Sequence, residues 1–137
     1  MRWIIILLVG AVLAGCGQGY VQRTERFAEQ VKRVVNPDEL QAWATNLLTK
    51  TPVPSLNQFG DVARTNVPNY VLSIYKDDPP EEVEIHSGDS GPYVQIIYGS
   101  GFGHWGLYVG FTNLDMISDE RFYVLPWQPG IYFWDGP

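Results

Sequence analysis

The side chains that could support acid–base or metal chemistry are few in this chain and widely spaced. His86 and His104 are the only histidines. A zinc site would need both imidazoles together with a carboxylate such as Glu84 or Asp89, and their spacing matches no metal-binding motif. We therefore expect one solvent-facing strand histidine and one histidine at the edge of a loop. The sequence predicts neither a metal site nor a cofactor.

A group of acidic residues flanks two prolines in the middle of the chain. Carboxylate oxygens are ligands that Ca²⁺ prefers, but this group lacks the spaced Asp/Asn-Gly pattern of a dedicated calcium loop. A charged turn more often keeps the edge of a sheet soluble. We expect such a turn here, formed by Asp77, Asp78, Glu81, Glu82 and Glu84.

The segment Gly88-Asp89-Ser90-Gly91-Pro92 resembles the sequence around the nucleophile of chymotrypsin-type serine proteases, with one glycine fewer. The resemblance implies that Ser90 is the nucleophile. That family also needs a histidine and an aspartate far upstream, and the only upstream histidine here is His86. Ser, Gly and Asp are also the residues of a tight turn, so we expect a hairpin loop at this position.

The segment from Gly101 to Gly106 matches the G-x-G-x-x-G fingerprint of dinucleotide-binding proteins. That fingerprint binds a pyrophosphate only where a strand ends and a helix begins. Residues 107–112 that follow have the composition of a strand, so we expect a hairpin connection and no nucleotide. The chain has 15 acidic and nine basic residues, a net charge of −6, which argues against nucleic acid.

The sequence Leu13-Ala14-Gly15-Cys16 closes an apolar run that begins at Trp3, directly after Arg2. This run is shorter than the roughly 20 residues that span a bilayer, and its order of charge, apolar run and small residues is typical of an export signal. Residues 1–16 resemble bacterial lipoprotein signal peptides. The resemblance implies that a diacylglycerol alkylates Cys16, the only cysteine, and that the chain is cut just before it.

We therefore expect a lipid-anchored protein of the bacterial cell envelope. Residues 17–19 form a short spacer, and residues 20–137 form a single domain. Acyl chains would attach it to the membrane, since two of them give stable anchoring. By analogy with enteric lipoproteins, the absence of Asp at position 17 implies the periplasmic face of the outer membrane if the cell has two membranes.

Two amphipathic helices are predicted at the start of the domain. Residues 20–35 form the first, and Asn36-Pro37-Asp38-Glu39 predicts the start of a second that ends near Lys50. Because so few residues join them, they should pack as a hairpin. Their apolar stripes contain Phe27, Val31, Val34, Val35, Leu40, Trp43, Ala44, Leu47 and Leu48.

After an irregular segment at 51–69, alternating apolar residues predict roughly six short strands. The fold class is then α+β, with the helical hairpin packed on an antiparallel sheet of about five or six strands. Within residues 104–112 we expect the odd positions in the core and the even positions on a more open face. The predicted strands are residues 70–75, 82–86, 93–98, 105–111, 122–125 and 131–134.

Aromatic residues crowd the last strands and offer the best indication of function. Some fill the core, and the others could receive a partner protein or stack on sugar rings. The candidate surface consists of His104, Trp105, Tyr108, Trp127, Tyr132 and Trp134. We expect a non-enzymatic binding or envelope-accessory protein, for which Trp134→Ala would weaken a complex without disturbing the fold. The alternatives are a peptidoglycan or carbohydrate binder and a small hydrolase that uses Ser90 or His104.

Overall fold

The computed structural model describes residues 19–75, 77–99 and 103–137. Two N-terminal helices pack on one face of a six-stranded antiparallel sheet, so the predicted α+β fold is confirmed. The lipobox with Cys16 lies outside the described residues, as do Gly17 and Gln18 of the expected spacer and Gly101 and Phe102 of the glycine-rich fingerprint.

The helices are α1 (residues 19–34), α2 (Pro37–Lys50) and a single turn, α3 (Asn69–Leu72). The strands are β1 (Phe59–Asp61), β2 (Glu82–Gly88), β3 (Gly91–Tyr98), β4 (His104–Gly110), β5 (Tyr123–Gln128) and β6 (Ile131–Gly136). Their order across the sheet is β1-β2-β3-β4-β6-β5, so β1 and β5 are the two edge strands.

The junction of α1 and α2 forms as the sequence predicts. The Asn36 side chain accepts hydrogen bonds from the backbone N–H groups of Asp38 and Glu39, at 2.9 and 3.3 Å. Pro37 occupies the first turn, where its missing N–H costs no helical hydrogen bond. Val34 departs from the prediction, because its side chain is 52% exposed although it was placed in the apolar stripe.

The main core lies between the helices and the inner face of the sheet. Leu107 and Val109 of β4 are fully buried there, as predicted for the odd positions of that strand. Phe111 lies just beyond the end of β4 and is exposed, so its assignment to the core was wrong. The other buried members include Phe27, Val31, Leu40, Ala44, Val94, Ile96, Tyr98, Ile131 and Phe133.

The even positions of β4 lie on the outer face, which is not open as predicted. Tyr108 is only 8% exposed and packs with Leu114, Tyr132 and Trp134 in a second apolar cluster. The connection between β4 and β5 supplies the cover, because the Tyr132 hydroxyl donates to the Leu114 carbonyl at 2.7 Å. There is no free space beside Gly106, since a Cβ there would overlap the Ile96 carbonyl oxygen and lie 3.1 Å from the Trp134 indole nitrogen.

Two segments were assigned wrongly from the sequence. The predicted strand at residues 70–75 is the short helix α3 and a turn, and it buries Val71 and Ile74 on one side. A short apolar run fits either element, so periodicity alone does not decide between them. Strand β1 lies within the segment that was predicted to be irregular. It was missed because it has three residues, the middle one is a glycine, and no apolar alternation marks it.

Candidate functional site

Strand β1 leaves one side of its backbone open at the edge of the sheet. Its register pairs Gly60 with Ile85 of β2, and the N–H of Val62 donates to the Val83 carbonyl at 2.8 Å. Backbone groups of alternate residues in a strand point to the same neighbour, so Gly60 also faces β2. The N–H and C=O groups of Phe59 and Asp61 therefore point away from the sheet, where no described strand lies.

The residues that lead into β1 carry a concentration of exposed apolar side chains. Of the six exposed large apolar side chains among the described residues, Val53, Leu56 and Phe59 lie within residues 53–59. Leu56 occupies a turn closed by a hydrogen bond from Gln58 N–H to the Ser55 carbonyl, and the left-handed Asn57 completes it. Leu56 and Phe59 are 57% and 59% exposed, and exposed apolar side chains that lie together are typical of a contact surface.

Phe59 is held in this exposed position by a series of rings across the outer face. Its ring stacks on His86 at 5.8 Å between centroids, and His86 stacks on Tyr93 at 5.3 Å. Tyr108 and then Trp134 continue the series, each 5.4 Å from the ring before it. Because β1 is the edge strand, the series ends at Phe59. One side of that ring contacts His86, and the other side has no neighbouring strand.

A carboxylate and an imidazole lie beneath this edge. His86 Nε2 is 2.7 Å from Glu84 Oε2, and the Glu84 side chain is only 9% exposed. Glu84 was expected in a charged turn, and the structure instead places it in strand β2 with its side chain buried. Burial, followed by the negative charge of Glu84, raises the pKa of the Tyr93 phenol. Asp61 is the cross-strand partner of Glu84, so a second acidic residue lies on the same face at the edge.

A cleft of about 250 Å³ lies beside the end of β1, and the acidic residues of its lining give this region its negative charge. Asp61, Glu81 and Glu82 contribute carboxylates to its lining, and Arg64 is the one cation among the lining residues that the structure describes. Val62 and Val83 form part of its apolar wall. We refer to residues 53–61 together with this cleft as the β1 edge.

The residues suspected of hydrolytic chemistry do not come together. The Ser90 hydroxyl accepts from the backbone N–H of Asp115 at 3.0 Å and lies 3.2 Å from the Asp115 carbonyl, so it joins the β2–β3 turn to the β4–β5 connection. His104 lies at the other end of the sheet, with its Nε2 3.9 Å from a Glu81 carboxylate oxygen. Within the described ranges, no three His, Cys, Asp or Glu side chains are placed to hold a metal ion.

The six residues of the predicted aromatic surface do not form one surface. Trp105 and Trp127 pack against the helix-side core, and His104 is half-buried at the end of β4. The other three rings are buried beneath the β4–β5 connection, with exposures of 8% for Tyr108, 9% for Tyr132 and 2% for Trp134. The burial of Trp134 contradicts the expectation that Trp134→Ala leaves the fold intact.

Trp105 belongs instead to a structural clasp at the start of α1. Arg23 donates through both Nε and Nη2 to the Asp135 carboxylate, which is completely buried. The Arg23 guanidinium also lies over the Trp105 ring, at 4.9 Å from its centroid. The hydrogen bond to Asp135 is the main reason that the pKa of Arg23 is raised. This bidentate pair fixes α1 to β6.

No family model, curated protein or solved structure matches this chain. None of the helices in residues 19–75, 77–99 and 103–137 has the length and apolar character needed to cross a bilayer. The site must therefore be interpreted from its own geometry. The sequence reasoning missed the β1 edge, although one signal was present: Val53, Leu56 and Phe59 are apolar residues in a proline-containing segment with no period that would bury them.

Proposed function

We propose that this protein is a lipid-anchored accessory protein of the bacterial cell envelope, and that it binds an extended segment of another envelope protein at the β1 edge. The observation that supports this proposal is the coincidence of exposed apolar side chains with unpaired strand backbone. Residues 53–59 hold three exposed apolar side chains, and the backbone groups of Phe59 and Asp61 face outward beside them.

The chemistry of this edge favours a polypeptide partner. Outward N–H and C=O groups in strand geometry are satisfied by the backbone of an added strand, and neighbouring side-chain contacts then supply specificity. Exposed Phe59 and Leu56 offer such contacts. The net charge of −6 argues against binding to nucleic acid or to anionic lipid surfaces. Binding without catalysis is therefore the function that we propose.

The carbohydrate alternative has less support from the geometry. Sugar-binding proteins stack pyranose rings on exposed aromatic faces, and Tyr108, Tyr132 and Trp134 are buried under the β4–β5 connection. The rings of His86 and Tyr93 pack against one another face to face, with 8° between their planes, so those faces are occupied. Phe59 is the one exposed ring of the outer-face series, at 59%.

The anchor rests on the lipobox, and a direct experiment tests it. Cells that express the full chain are labelled with an alkyne fatty acid, and the protein is fractionated with the membranes. We expect Cys16 to carry the label and Cys16→Ser to lose both the label and membrane association. Membrane association of unlabelled Cys16→Ser protein would contradict lipid anchoring.

The partner is tested by placing a photo-cross-linking amino acid at Phe59 in the full lipidated chain. Ile117 is a matched control, since it is also apolar and is 79% exposed but lies in the β4–β5 connection. We expect one discrete protein adduct from position 59 and none from position 117. Equal adducts from both positions, or none from position 59, would contradict a docking site at the β1 edge.

A further inference from the structure

We infer that the segment that adds to β1 carries a basic side chain two positions before an apolar side chain. This inference rests on the function proposed above and specifies the chemistry of the partner. Three features of the β1 edge lead to it: the direction of the free backbone groups, the row of acidic residues beside Asp61, and the exposed ring of Phe59.

The register follows from the free backbone groups. Every strand pair in this sheet is antiparallel, so we place the added strand antiparallel to β1. Its hydrogen-bonded pairs then lie opposite Phe59 and Asp61, because these two residues face outward. The two partner residues are two positions apart, so their side chains lie on the same face of the sheet as Phe59 and Asp61. Because the strands run in opposite directions, the partner residue opposite Asp61 comes first in the partner's sequence.

The position opposite Asp61 is surrounded by negative charge. Glu84 lies across from Asp61 on the other side, on β2, and Glu82 is exposed on the same strand. The cleft at the end of β1 adds Glu81 and contains Arg64 as its only cation among the described lining residues. Opposite charges on directly paired residues are stabilising and like charges are destabilising. This position therefore favours Lys or Arg and disfavours Asp or Glu.

The position opposite Phe59 favours an apolar residue. Phe59 is 59% exposed, and His86 supports it from behind at a centroid distance of 5.8 Å. The ring cannot fold back onto the sheet, because His86 and Tyr93 already fill that space. An aromatic or β-branched side chain in the partner would cover it, and Leu56 lies close by in sequence to extend the apolar contact.

A second copy of this chain fits the same edge less well. Antiparallel pairing of two β1 strands about Gly60 would put each Phe59 opposite the other copy's Asp61. It would also bring together two acidic clefts, from chains that each carry a net charge of −6. Neither Phe59 nor Asp61 would then lie opposite a complementary side chain, so we infer a basic partner rather than a dimer.

The test uses fluorescently labelled short peptides and the full lipidated protein in neutral detergent micelles, with anisotropy as the readout. One peptide contains Arg-Thr-Phe at its centre, and its matched control contains Glu-Thr-Phe. We expect the control to bind about fivefold more weakly, as follows from one exposed ion pair of about 1 kcal/mol. Asp61→Lys should reverse the order of the two peptides, and Phe59→Ser should weaken both.

Two further peptides test strand addition itself. N-methylation of the Phe residue removes the N–H that points at β1, whereas N-methylation of the Thr residue alters one that points away. We expect the first change to abolish binding and the second to leave it within about twofold, because only the first N–H is paired in the added strand. Equal losses from both changes would contradict the inferred register.

The outcomes separate this inference from the proposed function. Equal binding of the Arg and Glu peptides, or failure of Asp61→Lys to reverse their order, overturns the inference while a cross-link at position 59 still supports the function. A position 59 adduct without binding of either peptide overturns the inference in the same way. Sedimentation that shows a dimer lost in Phe59→Ser overturns it in favour of self-association. Absence of both peptide binding and the adduct overturns both proposals.

Discussion

The two edges of the sheet are built differently. Strand β5 has Pro126 on its exposed side and a bulge between Pro126 and Gln128. Its side chains are held from both faces, since Leu125 packs in the helix-side core and Val124 packs in the outer cluster. Strand β1 has no proline and no bulge, and exposed Phe59 lies on it.

This difference separates a protected edge from an available one. Proline and bulges prevent another strand from pairing, and natural sheets use them where an edge must remain unpaired. Strand β1 relies on its short length of three residues and on the acidic side chains beside it, which limit unspecific pairing but leave two residues with outward backbone groups. We interpret β5 as the closed side of the sheet and β1 as the binding side.

The largest effect is expected on the closed side, from Trp134→Ala. The substitution would leave a cavity between Tyr108, Phe122 and the β4–β5 connection, and such truncations cost about 3–5 kcal/mol of unfolding free energy. Urea denaturation of the protein measures it. Trp134→Phe is the matched control, because it keeps a ring and removes an indole N–H that is buried without a hydrogen bond in the described structure. Equal losses for both variants would contradict the cavity explanation.

A smaller loss is expected from Arg23→Ala, also on the closed side. The variant leaves the completely buried Asp135 without its cation. We expect about 2 kcal/mol of destabilisation in urea, below the 3–5 kcal/mol of a fully buried pair because the Arg23 side chain is 34% exposed. The double variant Arg23→Ala/Asp135→Asn should recover part of the loss. A double variant less stable than Arg23→Ala would argue against a charge penalty.

The corresponding change on the binding side, Phe59→Ser, should hardly affect stability. Phe59 is 59% exposed and contacts mainly His86, so we expect a loss of about 0.5 kcal/mol in urea. Because position 59 is substituted in this variant, the cross-linker is placed at position 56. The adduct that position 56 gives in the parent protein should disappear in Phe59→Ser. A loss of stability comparable to that of Trp134→Ala would show that β1 is part of the core, and the comparison of the two sides would fail.

The smallest stability change, with a separate effect on association, is expected from Pro126→Thr on β5. Threonine restores an N–H and favours strand geometry, so we expect unfolding free energy within about 0.5 kcal/mol of the parent. The edge would lose a protecting residue, and sedimentation should then show association that increases with concentration. A monodisperse variant would indicate that the bulge alone closes this edge.

Much of the architecture could be predicted from the sequence because local signals were strong. The Asn36-Pro37 start of α2 and the alternation in β3 and β4 gave the correct elements, and the hairpin-length connections gave an antiparallel sheet. The errors fell where local signals conflict or are weak. Residues 70–75 fit a strand or a helix equally well, and β1 contains a glycine between two residues whose side chains face outward.

The candidate site was harder to predict, because exposure depends on what covers each side chain. Trp134 and Tyr108 are of residue types that are common in binding surfaces, yet the β4–β5 connection buries them. Phe59 is of a residue type that is common in cores, yet it lies at the edge of the sheet and is exposed. Neither result follows from residue type, since both depend on contacts between residues far apart in the chain.

The sequence alone determined the approximate bounds of α1 and α2, the fold class and the expectation of a lipid anchor at Cys16, because caps, periodicity and the lipobox are local patterns. The tertiary structure decided which edge is open, which rings are covered, and that the buried Glu84 pairs with the half-buried His86. These features arise from strand order and long-range packing. Whether a side chain is free to bind is fixed only when its neighbours in space are known.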